Sequence, residues 1–293
     1  MQSALNPESV RQSPWPEAFT LKRGDDVSAP VIFASPHSGQ IYPQHMVDIL
    51  SVPLTDLQRT EDAFVDELYE AATEQGTALL SANFARGFVD LNRDARELDA
   101  EMFHDGLPRV AGMPSARVKA GLGCLPRVGA SGRNIYAAQI SQDEGRFRLE
   151  AIHDRYHGAL QNEIDALKLN WSDIFVIDCH SMPSRQPGRR NLPDIVLGDR
   201  FGSSCSAKLT SLVERRFRRE GLSVARNAPY AGGYTTRRYG RPRRGVSVLQ
   251  IEINRGLYMN EMEVRKSDKF DTMQDQVQRL ICDIVDFAVS ENN

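Results

Sequence analysis

The sequence predicts a single α/β domain, a three-layer sandwich built around a mostly parallel sheet. Short runs with the composition of strands alternate with stretches whose apolar residues recur at helical spacing, and this alternation covers most of the chain. No internal repeat or interdomain linker interrupts it. Strands separated by helices are typical of a parallel sheet covered on both faces. We therefore expect residues 29–293 to form one domain, preceded by a polar arm over residues 1–28.

The elements of the first half follow from composition and spacing. Residues 31–34 are an apolar run that ends in a Ser-Pro-His loop, as a strand does. Residues 61–74 carry apolar side chains at helical spacing and are predicted to be a helix. Residues 77–82 and 87–91 are predicted to be further strands. Residues 96–135 are rich in Gly, Pro and Arg and lack periodicity, which predicts a long irregular excursion of a kind that is often functional.

The second half continues the alternation. Apolar periodicity predicts helices at 142–169, 204–220 and 261–290. Gly221 marks the end of the second of these, because glycine is common just past a helix C-terminus. Apolar, strand-forming runs predict strands at 174–179, 195–198, 222–226 and 246–253. A loop rich in Gly and Arg is predicted at 227–245.

Composition excludes several classes of protein. The formal net charge of −3 gives the whole molecule no electrostatic reason to bind nucleic acid or an anionic membrane. No stretch approaches the roughly 20 apolar residues of a membrane span, and the polar N-terminus does not resemble a signal peptide. The four cysteines have no CxxC spacing, which favours reduced thiols in the cytoplasm. The oligomeric state stays open.

Three polar residues lie at or near the ends of predicted strands. His37 follows residues 31–34, His180 follows residues 174–179, and Glu252 lies within residues 246–253. In open α/β sheets, ligands bind beyond the carboxyl ends of the strands. Two histidines and carboxylates converging there would make a zinc site with an open position. Either histidine alone would be interpreted as a hydrogen-bonded loop or core residue.

Two of the candidate carboxylates have alternative interpretations. Glu252 shares one face of its strand with Gln250 and Asn254, and a carboxylate in an apolar strand is costly without a partner. It is either paired with a buried arginine or the general base beside a metal-bound water. Asp62 and Asp66 lie four residues apart on one helix face. Asp62 is either a metal ligand or a favourable charge at the helix N-terminus.

Arginines next to polar side chains offer a site for a substrate carboxylate. Asn92 and Arg93 place an amide beside a guanidinium, which binds carboxylates with two parallel hydrogen bonds. A surface arginine is the alternative. Further positive charge lies in the predicted loops, at Arg127, Arg237, Arg238, Arg241, Arg243 and Arg244. Without interleaved aromatic residues this cluster does not indicate nucleic-acid binding.

Taken together, these motifs resemble the N-formylglutamate amidohydrolase family, also called N-formylglutamate deformylases. The matching pieces keep the family's order from about residue 30 to residue 262. They are residues 35–39, Asp62 with residues 65–68, and residues 89–93, 125–127, 156–157, 178–183, 194–198, 227–230, 232–234, 250–254 and 257–258. No single piece is decisive, whereas the ordered set is quite specific.

The resemblance implies a fold like that of zinc carboxypeptidases and aspartoacylases, with a central mixed sheet. It implies that His37 and His180 bind the metal and that Glu252 is the catalytic glutamate. It also implies that Asn92 and Arg93 bind the substrate carboxylate. Those relatives usually place a metal-binding carboxylate three residues after the first histidine, where this chain has Gln40. We therefore expect Asp62 to be the third ligand, with Glu61 and Asp66 as the alternatives.

The activity implied is the hydrolysis of N-formyl-L-glutamate to formate and L-glutamate by a zinc-activated water. One Zn²⁺ is expected, although another divalent metal would suit the same ligands. Arg127, Gly233 and Tyr234 are expected to help position this small-molecule substrate. Two alternatives remain: an amidohydrolase for another N-acyl amino acid, and a relative that binds metal or amino acid without turnover.

Overall fold

The computed structural model of the protein describes residues 15–24, 27–186 and 192–293, and a seven-stranded sheet lies at its centre. The strands are β1 (Phe19–Arg23), β2 (Val31–Ser35), β3 (Ala78–Ala82), β4 (Ile174–Met182), β5 (Ile195–Gly198), β6 (Val224–Arg226) and β7 (Val246–Asn254). Their order across the sheet is β1-β3-β2-β4-β7-β5-β6. The crossovers in this order bring β2, β4 and β7 together in the middle.

The sheet is mixed and mostly parallel, as the sequence predicts. β3, β2, β4 and β7 run parallel to one another, and β6 runs parallel to β5. The antiparallel pairs are β1 with β3 at one edge and β5 with β7 towards the other. The central strands β2 and β4 are buried along their whole length, which suits the nearly continuous apolar runs typical of strands covered on both faces.

Helices cover both faces of the sheet and complete three layers. The α-helices are α1 (Gln44–Val47), α2 (Leu54–Gln58), α3 (Val65–Leu68), α4 (Ala116–Lys119), α5 (Gln142–Arg148), α6 (Asp154–Leu167), α7 (Ala207–Arg219), α8 (Tyr234–Tyr239) and α9 (Phe270–Asn292). The π-helical segment Leu149–His153 joins α5 to α6, and these helices pack on one face. α7 and α9 pack on the other. A small hairpin, β8 (Met259–Asn260) with β9 (Arg265–Lys266), precedes α9.

Alternation along the strands decides which side chains reach each layer. In β4, Ile174 and Val176 pack under α6, whereas Phe175 and Ile177 pack under α7 and α9. The same alternation puts His180 on the side of Ile174 and Val176, because side chains two residues apart share a face. The polar end of β4 therefore faces the layer that contains α5 and α6.

Capping residues define several helix ends. The hydroxyl of Ser206 accepts a hydrogen bond from the backbone amide of Leu209 and starts α7. Gly221 follows the end of α7 with φ +82°, a left-handed conformation that glycine adopts without strain. Ser141 starts α5 in the same way as Ser206 starts α7. These signals agree with the helices predicted at 142–169 and 204–220.

Several predicted elements differ from the structure. Phe19–Arg23, predicted as part of the arm, is the edge strand β1, while residues 1–14 lie outside the described residues. The predicted helix at 61–74 is reduced to α3 and a 3₁₀ segment, because Phe64 adopts a left-handed conformation with φ 65°. Residues 87–91 are turns rather than a strand. Their backbone is already engaged locally, as in the bond from the Phe88 amide to the Ala85 carbonyl.

Three further boundaries differ. The predicted loop at 227–245 contains α8. The last helix begins at Phe270 rather than at residue 261, because the β8–β9 hairpin uses the intervening residues. β4 continues past residue 179 to Met182, so that His180 lies inside the strand. No helix in the described residues is long and apolar enough to cross a membrane.

Candidate metal centre and active site

Two histidines and one aspartate converge at the carboxyl end of the central strands. His37 lies just beyond β2, His180 lies near the end of β4, and Asp62 lies in the turn before α3. The Asp62 Oδ2 atom is 3.2 Å from His37 Nδ1 and 2.8 Å from His180 Nδ1. One ligand atom from each residue lies within 4.8 Å of the others, and all three residues are buried. The backbone amide of Asp62 donates to the His37 carbonyl at 3.0 Å, which ties the turn to the strand end.

The outer nitrogen of each ring faces a second carboxylate. His37 Nε2 is 2.8 Å from Asp90 Oδ1, and His180 Nε2 is 3.1 Å from Asp178 Oδ1. The Asp178 carboxylate is fully buried and has no well-aligned hydrogen bond among the described residues. Metal-binding histidines usually donate their other N–H to a carboxylate or carbonyl, which orients the ring and raises its basicity. The donor set, two Nδ1 atoms and one carboxylate, therefore fits a zinc ion.

Asp62 is held in its charged form. Burial raises its pKa, but hydrogen bonds with His180 and His37 outweigh burial and hold the pKa well below its usual range. The second oxygen, Oδ1, accepts from Arg255 Nη2 at 2.9 Å. Asp62 is thus an ionised carboxylate with one oxygen bonded to Arg255 and the other facing two imidazole rings, which is suited to metal binding. Among the described residues the metal group includes neither Glu61 nor Asp66.

His180 holds a proton strongly when no cation competes for the site. Burial lowers its pKa, but the charge of Asp178 and hydrogen bonds with Asp178 and Asp62 outweigh burial and raise the pKa well above its usual value. Because a metal binds the neutral ring, proton and metal compete for His180. Negative charge that stabilises the imidazolium also favours a divalent cation at the same position.

Glu252 lies beside His180 on the neighbouring strand. The two residues are register partners across the parallel β4–β7 pair, so their side chains project from the same face. The Gln250 amide donates to Glu252 Oε1 at 2.8 Å. Among the described residues Glu252 forms no ion pair with an arginine, which argues against the structural salt bridge considered above. Burial raises the pKa of Glu252 to about 8.

These residues line one cavity of about 640 Å³. His37, Asp62, His180 and Glu252 all contribute to its wall. The irregular segment 96–135 forms another part, through residues that include Arg117, Leu122, Pro126 and Val128. Five arginines line the cavity: Arg59, Arg86, Arg93, Arg117 and Arg255. The volume is within the usual range of small-molecule pockets, and the cationic lining suits an anionic ligand.

Three of the expected substrate-binding residues line this cavity, namely Asn92, Arg93 and Gly233. The side-chain Oδ1 atom of Asn92 accepts from the Thr235 backbone amide at 2.9 Å, and Asn92 Nδ2 lies 3.0 Å from His180 Nε2. The Gly233 amide donates to Gln250 Oε1 at 2.8 Å. A Cβ at Gly233 would collide with the Asn92 side chain, so this close approach requires glycine.

The other two expected residues lie outside the cavity lining. Arg127 Nε is 2.8 Å from Asp99 Oδ2, and Arg127 Nη2 is 3.1 Å from Glu101 Oε2, so its charge is neutralised within the segment that carries it. The Tyr234 hydroxyl accepts from Arg238 at 2.6 Å, and its ring packs against His157. The cavity therefore obtains its positive charge from arginines other than Arg127.

Sequence reasoning overlooked two supporting carboxylates, Asp90 and Asp178. Each lies two residues before a predicted site residue, Asn92 and His180 respectively. In a strand this spacing places both side chains on one face, so Asp178 could have been found by the same alternation that placed His180. Asp90 lies in a turn, where no such regularity applies. Arg86, which is 2.9 Å from Asp90 Oδ2, was overlooked for the same reason.

The arrangement agrees with comparisons to known proteins. A profile described as N-formylglutamate amidohydrolase matches residues 29–259. The crystal structure of N-formylglutamate amidohydrolase from Ralstonia eutropha JMP134 superposes with a TM-score of 0.88 at 32% identity, covering 94% of this chain and all of that one (100%). The N-formylglutamate deformylase of Pseudomonas aeruginosa is 30% identical over 253 residues, covering 84% of this chain and 86% of the relative. That of Pseudomonas putida is 29% identical over 239 residues, covering 80% and 83%.

The matched range contains both histidines, the aspartate between them and Glu252. The Ralstonia structure also agrees with the three-layer architecture and its mixed sheet. The protein is therefore a hydrolase of amide bonds, and it belongs to the N-formylglutamate amidohydrolase family.

Proposed function

We propose that the protein hydrolyses N-formyl-L-glutamate to formate and L-glutamate, with one Zn²⁺ held by His37, Asp62 and His180. One observation carries this proposal. One ring nitrogen of each histidine and one carboxylate oxygen of Asp62 lie within 4.8 Å of one another, and Glu252 is the register partner of His180. A three-ligand metal group with an acid–base carboxylate on the next strand is suited to metal-assisted hydrolysis of an amide.

The metal and Glu252 have separate roles in the proposed reaction. A zinc ion, when bound, supplies a Lewis acid that polarises the acyl oxygen and makes water a better nucleophile at neutral pH. Glu252 accepts a proton from the attacking water and then delivers it to the leaving nitrogen, so that formate and a free amine result. A further positive charge beside Glu252 would lower its pKa from the value of about 8, to which burial chiefly raises it, and so favour the basic form.

Asn92 and Arg93 are the residues we propose for the α-carboxylate of the substrate. The Arg93 side chain is 14% exposed, and its Nη2 atom is 3.9 Å from Asp90 Oδ2, beyond a direct hydrogen bond. Its Nε and Nη1 atoms donate to the carbonyls of Leu122 and Asn92, which hold the guanidinium in place. Nη2 therefore has capacity left for a substrate oxygen.

A related activity is the second candidate. The cavity of about 640 Å³ would hold acyl groups larger than formyl, so its size alone does not restrict the substrate. We propose formyl as the first choice because the relatives from both Pseudomonas species are N-formylglutamate deformylases. A non-catalytic binding protein is disfavoured, since Glu252 lines the cavity without an ion pair to an arginine in the described part of the chain.

An amine-release screen over N-acyl amino acids tests the proposal. The protein is stripped with a chelator, and turnover is measured before and after one equivalent of Zn²⁺ is restored. N-Formylglutamate should be the best substrate, and activity should return with the metal. Higher turnover of N-acetyl or longer N-acyl substrates would favour the second candidate. Full activity in the stripped protein would contradict a metal mechanism.

We also propose that the protein acts in the cytoplasm. All four cysteines are free thiols, and three of them, Cys124, Cys179 and Cys205, are buried. Free thiols persist in a reducing compartment. Fractionation of the native host, with the activity followed in each fraction, tests this.

A further inference from the structure

Arg117 stands out among the arginines that line the cavity. Arg86 is paired with Asp90, and Arg255 is paired with Asp62. Arg59 donates through Nη2 to the carbonyl of Met262. Arg117 has neither an ion pair nor a side-chain hydrogen bond within the described ranges 15–24, 27–186 and 192–293. A cation that lines a pocket without a protein partner is available to a ligand.

The backbone that carries Arg117 is held firmly. Arg117 lies in α4, whose first residue follows the capping side chain of Ser115. The Ser115 hydroxyl accepts from the Val118 amide at 3.3 Å and donates to Glu97 Oε1 at 3.0 Å. Val118 is buried, which anchors the helix against the core. The backbone position from which the exposed Arg117 side chain enters the cavity wall is therefore set by a defined turn within the irregular segment 96–135.

Arg117 and Arg93 form one cationic wall. The Leu122 amide donates to the Arg117 carbonyl at 2.9 Å, and the Leu122 carbonyl accepts from Arg93 Nε at 3.2 Å, so a single residue links the two. Burial lowers the pKa of Arg117, and the positive charge of Arg93 lowers it further. Arg117 nevertheless stays charged at physiological pH. Two neighbouring cations repel each other, and an anion bound between them relieves that repulsion.

We propose that Arg117 binds the second carboxylate of an acidic N-acyl amino acid, the one on its side chain, while Arg93 binds the α-carboxylate. This inference rests on the function proposed above. Glutamate carries two carboxylates a few bonds apart. The cavity wall offers the guanidinium of Arg93, which donates to the Leu122 carbonyl, and the guanidinium of Arg117, whose backbone is bonded to the same leucine. Arg127, the other arginine considered for this purpose, is already neutralised by Asp99 and Glu101. Arg117 thus determines specificity for acidic substrates.

The test compares N-formylglutamate with N-formylglutamine, which has nearly the same shape and lacks the second charge. kcat/KM is measured for the zinc-loaded wild type and for the variants Arg117→Ala, Arg117→Lys and Lys119→Ala. We expect Arg117→Ala to lower kcat/KM for N-formylglutamate by about 10- to 100-fold, the value of a hydrogen bond to a charged group. N-Formylglutamine should change by less than about 3-fold, and Arg117→Lys should restore part of the loss.

Lys119 is the matched control. It lies on the same short helix, is exposed, and does not contribute to the cavity lining among the described residues. Lys119→Ala removes the same charge and should leave both substrates unaffected, while melting temperatures verify that each variant folds. Equal losses on both substrates, or no loss on N-formylglutamate, would overturn the assignment of Arg117 and leave the proposed function intact. A wild type that fails on N-formylglutamate would instead overturn the proposed function and, with it, this inference.

Discussion

Glu252 and His180 are register partners on two adjacent parallel strands, β7 and β4. The proposed general base and one proposed metal ligand are thus positioned by backbone pairing in the centre of the sheet. Strands hold a constellation more precisely than loops do. The third proposed ligand, Asp62, comes from a turn, and hydrogen bonds to His37 and Arg255 hold it instead.

Replacing Glu252 by glutamine should separate catalysis from metal binding. The change keeps the size of the side chain and removes the proton acceptor, so turnover should fall by about 10²–10⁴-fold. Because Glu252 is bonded to Gln250 rather than to an arginine, the melting temperature should change little and zinc content should stay near one ion per chain. Turnover, zinc content and melting temperature are measured on one preparation. A stable, zinc-loaded variant with wild-type turnover would exclude Glu252 as the base.

Replacing Asp62 should reduce metal content. Asp62→Asn keeps the volume and one oxygen but removes the charge that faces both histidines, so the zinc bound after dialysis should fall well below that of the wild type. It should also destabilise the protein, because Arg255 loses its buried partner, a change typically worth about 3–5 kcal/mol. Zinc is therefore measured on protein that circular dichroism shows to be folded.

Glu61→Gln is the matched control for Asp62→Asn. Glu61 is the neighbouring buried carboxylate, accepts from the Tyr42 hydroxyl and does not belong to the metal group. Zinc content should stay at the wild-type level in this variant. The reverse pattern, with zinc lost from Glu61→Gln and kept by Asp62→Asn, would exchange the roles of the two residues.

Asp90 is expected to act on the metal through His37. Its Oδ1 atom is 2.8 Å from His37 Nε2, and its Oδ2 atom is 2.9 Å from Arg86 Nη2. Burial raises the pKa of Asp90, but Arg93 and Arg86 outweigh burial and keep it well below its usual range, so the group is a strong acceptor. Asp90→Asn should weaken zinc binding by about 10- to 100-fold, as loss of such a partner usually does. Competition with a chromogenic chelator measures this, and an unchanged affinity would contradict the orienting role.

Stability at low pH should depend on Glu144. Burial raises its pKa, but His45 and Arg148 outweigh burial and lower the pKa to about 2. A carboxylate with a lowered folded-state pKa stabilises the protein above its unfolded-state pKa of about 4.3, and this contribution disappears as the pH falls towards 2. The free energy of unfolding of wild type should therefore exceed that of Glu144→Gln by up to about 3 kcal/mol at pH 7. Urea titrations at several pH values should show the two curves converging between pH 4 and 2. A difference independent of pH would contradict the assignment.

The strand-end residues of the site could be predicted because strands have a simple regularity. Apolar runs located β2, β4 and β7 to within a few residues, and polar residues at their ends indicated His37, His180 and Glu252. The carboxyl ends of parallel strands meet at one edge, which brought these residues together. β1 was not predicted, because it is a partly exposed edge strand without a continuous apolar run. Only Phe19 and Leu21 of this strand pack on the core.

The arginines could not be assigned from the sequence. Arg117 and Arg127 lie ten residues apart in the same irregular segment, and their local surroundings do not distinguish them. Their tertiary contacts distinguish them. Arg127 forms ion pairs with Asp99 and Glu101, whereas Arg117 lines the cavity. The path of the whole segment determines which acidic residue a long, flexible side chain contacts. No periodic pattern in the sequence predicts that path.

The π-helical segment Leu149–His153 has a consequence for how this family can change by insertion and deletion. Arg148 directly precedes this segment and is buried against the Phe88 ring. At its C-terminal side, His153 contacts the Arg93 carbonyl and His157 contacts the Leu91 carbonyl. Each residue of an α-helix turns the chain by about 100°, so deleting one residue here would rotate one set of contacts away from the loop that carries Asn92. Length changes should be tolerated far better at the exposed tip of residues 104–107 than in this segment. Residues along α5 and α6 can be substituted. The combined length of the two helices is fixed, because both helices contact the active-site loop.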